Sequence, residues 1–327
     1  MKQVFITGAT GLVGSYVAKF FADAGYKIKA LKRTNADTSW VKGWEDKINW
    51  VEGDILDVVA LEKYVEPEDI VVHAAALVSF QTKDKKQMFQ VNVEGTANIV
   101  NICLEKNVKK LIHISSIASL GRKKGEIEID EHSKWEESEL NTVYAESKYL
   151  AELEVWRGIS EGMRAVILNP SLVFGAGDWN RTSLQLFKYV ADGKKMYPKG
   201  SLNYVDVRDI AQVAVQMAEN EIQSERFVMS AGNILYKSLF DRIAKAMDKK
   251  PPSIPVTPLL AEIAWRASSV ASLFTRKPPL ISKETAKVSQ MHFVYRNHKI
   301  HTFLPDFQFR PLHDTIEWVV QNKKSLE

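Results

Sequence analysis

The 327-residue chain carries 44 Lys and Arg against 40 Asp and Glu, with 45% hydrophobic and 26% charged residues. That balance is the one found in ordinary water-soluble globular proteins, and a formal charge of +4 is too small to imply nucleic-acid binding. The length exceeds one domain of usual size, so one large α/β unit with a smaller unit attached is expected. Cys103 is the only cysteine, which permits no internal disulfide; it is read as a core residue in an apolar helical stretch. No uncharged apolar run approaches the roughly 18 residues needed to span a bilayer. Glycines at 8, 11 and 14 interrupt the N-terminal apolar segment where a secretory signal needs a continuous helix. A cytoplasmic protein without stable membrane insertion is the expectation.

Short apolar runs fall at residues 3–7, 27–31, 49–52, 70–73, 111–115 and 165–168, with helix-length segments between them. Repetition of that kind predicts βαβ units and a doubly wound parallel Rossmann sheet covered on both faces. After Pro170 the pattern loosens. Prolines at 251, 252, 255, 258, 278 and 279 predict a smaller, irregular, mostly helical unit. The division expected is a main α/β domain over 1–170 and a smaller region over 171–327. The basic clusters Lys83, Lys85, Lys86 and Arg122, Lys123, Lys124 read as solvated loops.

The first strand runs into Gly8-Ala9-Thr10-Gly11-Leu12-Val13-Gly14 and then a helix. Glycines there allow a tight turn and close approach of backbone to a pyrophosphate, while the helix start offers free N–H donors and a positive dipole end. At the end of the second strand, where a carboxylate would bind the ribose 2′-hydroxyl of NAD, stand Lys32 and Arg33. A guanidinium suits a 2′-phosphate, so NADP is expected before NAD.

Tyr144 and Lys148 are four apart at the start of a helical pattern and share one face. A nearby ammonium favours the phenolate, which is expected to pull the phenol towards a working range for proton transfer. Ser115 and Ser116 close a central strand, at the end where open α/β sheets place their sites. The histidines form no ligand cluster; His298 and His301, the one close pair, read as surface residues, and no metal is expected.

Taken together, the G-x-x-G-x-x-G spacing, Gly53-Asp54, His73-Ala74-Ala75-Ala76, Asn92 within Val91–Thr96, Ser116 aligned on Gly121, and Tyr144-x-x-x-Lys148 resemble the extended short-chain dehydrogenase/reductase superfamily, the NAD-dependent epimerase/dehydratase family. The resemblance covers nearly the whole chain. It implies Tyr144 as the catalytic acid/base, Ser116 as the hydroxyl that orients substrate, and Lys148 on the nicotinamide ribose. Asn92 is implied in a water relay to Lys148. Asp54 and Ile55 are implied at the adenine, Ala74 to Ala76 beneath the adenosine half, and Pro170, Ser171 and Leu172 against the nicotinamide. The family also implies a homodimer through the helices of Tyr144 and Asn92. Residues 203–211 resemble the signature where the extended branch returns to its main domain, which implies a dinucleotide-binding domain over 1–170 with a return around 203–230, and a substrate-binding region over 171–327. Departures are Val143 and Ala176, where proline is common.

Leu172 stands where sugar-nucleotide epimerases carry an asparagine that contacts a diphosphate, and leucine donates no hydrogen bond. The segment around it is similar to the dihydroflavonol reductase and 3β-hydroxysteroid dehydrogenase branch. An NADPH-dependent reductase of a ketone or aldehyde, with an apolar small-molecule substrate, is therefore expected; a sugar-nucleotide epimerase or dehydratase with bound NAD(P) is the alternative, and a non-catalytic dinucleotide sensor the third reading. The apolar segment 258–274 is read as a C-terminal core helix, a lid over an apolar substrate, or a membrane-surface helix.

Overall fold

Four mainly apolar runs, at 4–7, 70–73, 110–114 and 165–170, are buried at every position, as strands covered on both faces must be. The computed structural model describes residues 2–79, 81–257, 260, 262, 265–266 and 283–323. Its strands are β1 (Gln3–Thr7), β2 (Lys27–Lys32), β3 (Ile48–Glu52), β4 (Ile70–His73), β5 (Lys110–Ile114), β6 (Glu128–Ile129) and β7 (Ala165–Pro170). They continue with β8 (Leu172–Phe174), β9 (Met196–Pro198), β10 (Ser201–Asp206), β11 (Glu225–Met229), β12 (Gly232–Leu235), β13 (Ile254–Val256) and β14 (Val294–Tyr295).

The central sheet has seven parallel strands in the order β11-β7-β5-β4-β1-β2-β3. The strand order reverses between β1 and β4, which opens a crevice at their C-terminal ends. The six strands expected from the sequence are present, two with the expected bounds and four with ends shifted by one or two residues. The seventh, β11, was not anticipated.

Helices α1 (Leu12–Asp23), α2 (Val58–Tyr64), α3 (Lys85–Phe89), α4 (Gly95–Glu105), α5 (Val143–Ser160), α6 (Gln185–Ala191), α7 (Val207–Glu219) and α8 (Tyr236–Ala246) alternate with the strands. On one face α1 and α7 bury Val17, Ala18 and Phe21 against Ile210, Ala214 and Met217. On the other, α4 and α5 bury Ile99, Val100, Cys103 and Val155 over β5 and β7. Cys103 thus lies in the core as expected.

The C-terminal region has helices α6 and α8, with short strands woven between them in the sheet β12-β10-β8 and the pairs β13-β9 and β14-β6. A small core of Leu120, Ile129, Val228, Phe293 and Tyr295 seats it on the main sheet. Asn203, 6% exposed, fixes that seat by donating to the Phe293 carbonyl at 2.7 Å and accepting from the Tyr295 amide at 3.1 Å. Of the two basic clusters, Lys83, Lys85, Lys86 and Lys124 are exposed as expected, although Lys85 and Lys86 open α3, whereas Arg122 is half-buried and packs over the Phe293 ring at 5.6 Å. Apart from Leu260, Glu262, Trp265 and Arg266, the segment 258–274 lies outside the described residues, as do Pro278 and Pro279. Among the described residues no helix is long and apolar enough to cross a membrane.

Candidate active site

The three glycines after β1 have different reasons to be glycine. Gly8 has φ +78°, and a Cβ there would sit 2.5 Å from the Ala74 carbonyl carbon; one on Gly14 would sit 2.2 Å from the Gly8 oxygen. Gly11 meets only the Gly8 oxygen, at 3.4 Å, so packing within the chain does not require it. It is also the N-cap of α1 and brings no side chain to the helix's first N–H groups. Those donors, the helix dipole and the bare Gly11 surface suit an anion such as a dinucleotide pyrophosphate.

Beneath the crevice runs a buried polar chain. Thr7 Oγ1 lies 2.7 Å from His73 Nδ1, and His73 Nε2 lies 3.0 Å from Thr96 Oγ1. Thr96 donates to the Asn92 carbonyl, so it accepts from His73 Nε2–H, and Nδ1 accepts from Thr7. Every partner is satisfied by a neutral imidazole. Burial, aided by the Lys148 charge, pushes His73 down to about 3. The His113 ring on β5 lies 5.2 Å away, tilted by 35°, and is held well below its usual range by burial, with Lys148 and His73 adding to the effect.

Ser116 caps a short 3-10 turn (Ile117–Leu120) at the end of β5, its Oγ accepting from the Ala118 amide at 3.1 Å. Thr142 caps α5 and starts the helix one residue before Tyr144. This brings the Tyr144 hydroxyl into hydrogen-bonding contact with Ser116. Lys148, one turn later and 2% exposed, donates to the Ile114 carbonyl at 3.2 Å. Burial lowers its ammonium to about 8, against the opposing pull of Glu152.

The phenol departs from expectation. Burial raises Tyr144 above its ordinary value, the Ser116 hydrogen bond pulling it back only in part. Lys148 does not offset that burial: its amine turns to a main-chain carbonyl and is itself disfavoured as a cation by burial.

Asn92 sits in a π-helical turn (Gln90–Glu94) between α3 and α4. Its amide is committed: it donates to the Leu77 carbonyl and Ser147 Oγ and accepts from the Leu77 amide. In that geometry it ties the loop after β4 to α5 and makes no direct contact with Lys148. Asp54 caps its own turn by accepting from the Leu56 amide, and Ile55 is buried against Gly95. Ala74 and Ala75 donate to Thr7, with Ala76 exposed next to them. Lys32 lies 4.0 Å from Glu52, whereas Arg33 is exposed with no carboxylate partner among the described residues. Pro170 ends β7 and Leu172 opens β8, half-buried. Between them, Ser171 Oγ is buried with no hydrogen-bond partner among the described residues. An orphan hydroxyl in this stretch, the glycine turn and the open helix start fit a dinucleotide lying across the crevice.

Sequence reading missed a second buried group. Glu152, one turn past Lys148 and 2% exposed, accepts from Ser115 Oγ (2.8 Å), Ser119 Oγ (2.7 Å) and Asn169 Nδ2 (2.8 Å). Its other oxygen pairs with Arg226 at 3.0 Å. The only signal was a further i+4 step along α5, which reads equally well as a surface charge. A cavity of about 600 Å³, lined by Trp135, Tyr149, Trp156 and Arg226 among others, borders this network at Ser119 and includes none of Ser116, Tyr144 or Lys148.

Comparison with known proteins matches the geometry. The family model described as "NAD dependent epimerase/dehydratase family" matches residues 4–230. Cinnamoyl-CoA reductase 1 of Petunia hybrida is 28% identical over 271 residues, 78% of this chain and 79% of that protein. The solved structure of gox2253 superposes with TM-score 0.82 at 28% identity, covering 99% of this chain and 100% of that one. UDP-glucose 4-epimerase from Thermotoga maritima, solved with UDP-glucose, gives TM-score 0.79 at 17% identity over 98% of both chains, a likeness of fold. The chain belongs to the NAD-dependent epimerase/dehydratase family and is an NAD(P)-dependent enzyme.

Proposed function

We propose that the chain is an NADPH-dependent reductase of apolar ketones or aldehydes, with Tyr144 as the proton donor. The observation that carries this reading is the Tyr144 hydroxyl bonded to Ser116 at the end of β5, with Lys148 buried one turn behind. The bound nicotinamide supplies the hydride. Ser116 holds the carbonyl oxygen and Tyr144 gives it a proton. A phenol kept protonated by burial is the form needed in the reducing direction, in which it donates. Lys148 retains its cation below about pH 8 and places positive charge beside the developing phenolate.

Preference for NADP rests on Arg33, whose guanidinium remains uncommitted among the described residues while Lys32 faces Glu52. Preference for an apolar substrate rests on Leu172, which offers no donor to a diphosphate. The relative from Petunia hybrida carries the name of a reductase, which favours this reading over an epimerase. We read its compartment as the cytoplasm and its assembly as a homodimer through α4 and α5, where Leu153 is 43% exposed.

The test is a panel of aromatic and aliphatic aldehydes and ketones beside UDP- and dTDP-sugars, following NADPH and NADH oxidation with product analysis. NADPH-driven reduction of an apolar carbonyl, with a preference over NADH lost in Arg33→Asp, is expected. Interconversion of a nucleotide sugar without net NADPH consumption would replace this reading with the epimerase one.

A further inference from the structure

Glu152 is a carboxylate at the hub of three elements, and the mechanism above does not use it. Its Oε2 gathers the hydroxyls of Ser115 and Ser119 and the amide of Asn169, which are the ends of β5, the turn after it and β7. Two of these partners also reach the main chain of Ser116. Asn169 Nδ2 lies 3.1 Å from the Ser116 carbonyl, and Ser119 Oγ lies 2.7 Å from it. The single Ser119 proton serves one acceptor at a time, so Asn169, with two N–H groups, is the partner able to bridge Glu152 and Ser116 at once.

A lone buried carboxylate would be strongly disfavoured. Arg226 on β11 supplies the counter-charge. Its Nε and Nη2 donate to the carbonyls of Glu131 and Ser133, and its side chain is 19% exposed. The pair is therefore built into the fold rather than laid on its surface. Because Tyr144, Lys148 and Glu152 follow one another at four-residue steps, anchoring Glu152 fixes how the other two face the Ser116 turn.

We propose that Glu152 is a positioning residue, which locks the Ser116 turn and the Asn169 strand end in register with the Tyr144–Lys148 face of α5. Its charge acts on the same face. Lys148 is faced by His73 from β4, His113 from β5, and Tyr144 and Glu152 from its own helix; both histidines are neutral. Glu152 is the one group of these whose charge supports the ammonium, and Arg226 faces Glu152 from β11.

The kinetic arm of the test rests on the reductase reading; two other arms do not. Glu152→Gln keeps the shape and removes the charge, while Glu152→Asp keeps the charge and withdraws it by one methylene. With NADPH and an aromatic aldehyde, Glu152→Gln should lower kcat by about 10- to 100-fold, the range expected of a misplaced catalytic group, with the KM for NADPH nearly unchanged. In ligand-free protein with isotope-labelled lysine, the Lys148 titration midpoint should fall below its wild-type value in Glu152→Gln and return towards it in Glu152→Asp. Amide exchange at Ser119, whose N–H bonds the Ser116 carbonyl, should accelerate in both. If Glu152→Gln does not fold, Glu152→Gln with Arg226→Gln removes both charges and carries the same measurements. A folded variant with unchanged midpoint and unchanged Ser119 exchange overturns the proposal, as does a loss of melting temperature with unaltered kcat. A wild type inactive on every carbonyl defeats the reductase reading and leaves the lysine and exchange arms to decide this one.

Discussion

Gly8 and Gly11 stand three residues apart in one turn, yet only the first is held by the fold. An alanine at Gly8 faces both φ +78° and the backbone of Ala74 at 2.5 Å, whereas one at Gly11 meets a single atom at 3.4 Å. Gly8→Ala should therefore lower the melting temperature strongly, while Gly11→Ala should melt within a few degrees of wild type and bind NADPH at least about tenfold more weakly, as a Cβ intrudes on the amide rim. Calorimetry and cofactor titration of the two variants check this; equal loss of stability in both contradicts it. The residues proposed to react were legible because the chemistry proposed for them fixes their spacing: Tyr144 and Lys148 must share a helix face, and Ser116 must end a strand. Glu152 was not, because its meaning depends on Asn169 and Arg226, 17 and 74 residues away in the chain. The phenol's direction was also misread, since spacing reveals a nearby amine but not how deeply both groups are buried.

At the scale of elements, six of the seven parallel strands announced themselves by short apolar runs, α1 by the glycine turn that begins it and α5 by the spacing of Tyr144 and Lys148. The π-helical turn over Gln90–Glu94 gave no such sign, although it sets where Asn92 points. Strand β4 ends in His73 and β5 carries His113, both neutral in the fold. In the unfolded chain each would take a proton below about pH 6.5, which the native state refuses, so stability is present above that pH and is lost as pH falls. Between pH 7 and 5 His73 should remove about 2 kcal/mol of unfolding free energy, and His113 should add to the loss in the same direction. Urea unfolding at the two pH values measures the sum, and a slope unaffected by replacing His113 with an untitratable residue of similar volume would contradict the assignment.

For the molecule as a whole, six strands of the central sheet were foreseeable, while β11 and the small sheets of the C-terminal region were not. Pairs such as β14 with β6 join residues more than 160 apart, and two- or three-residue strands carry no periodic pattern of their own. The proposed homodimer places Leu153 of α5 at the subunit contact, so sedimentation at micromolar concentration should give a dimer, and Leu153→Arg a monomer. A wild-type monomer would defeat that assembly and leave the chemistry untouched. The chemistry depends on one proton. Tyr144→Phe removes the hydroxyl and keeps the ring, so the protein should fold and bind NADPH as before while single-turnover reduction of an apolar aldehyde slows by about 10²- to 10⁴-fold, the contribution of a positioned general acid. A folded, NADPH-loaded Phe variant that reduces the aldehyde at the wild-type rate would contradict the account.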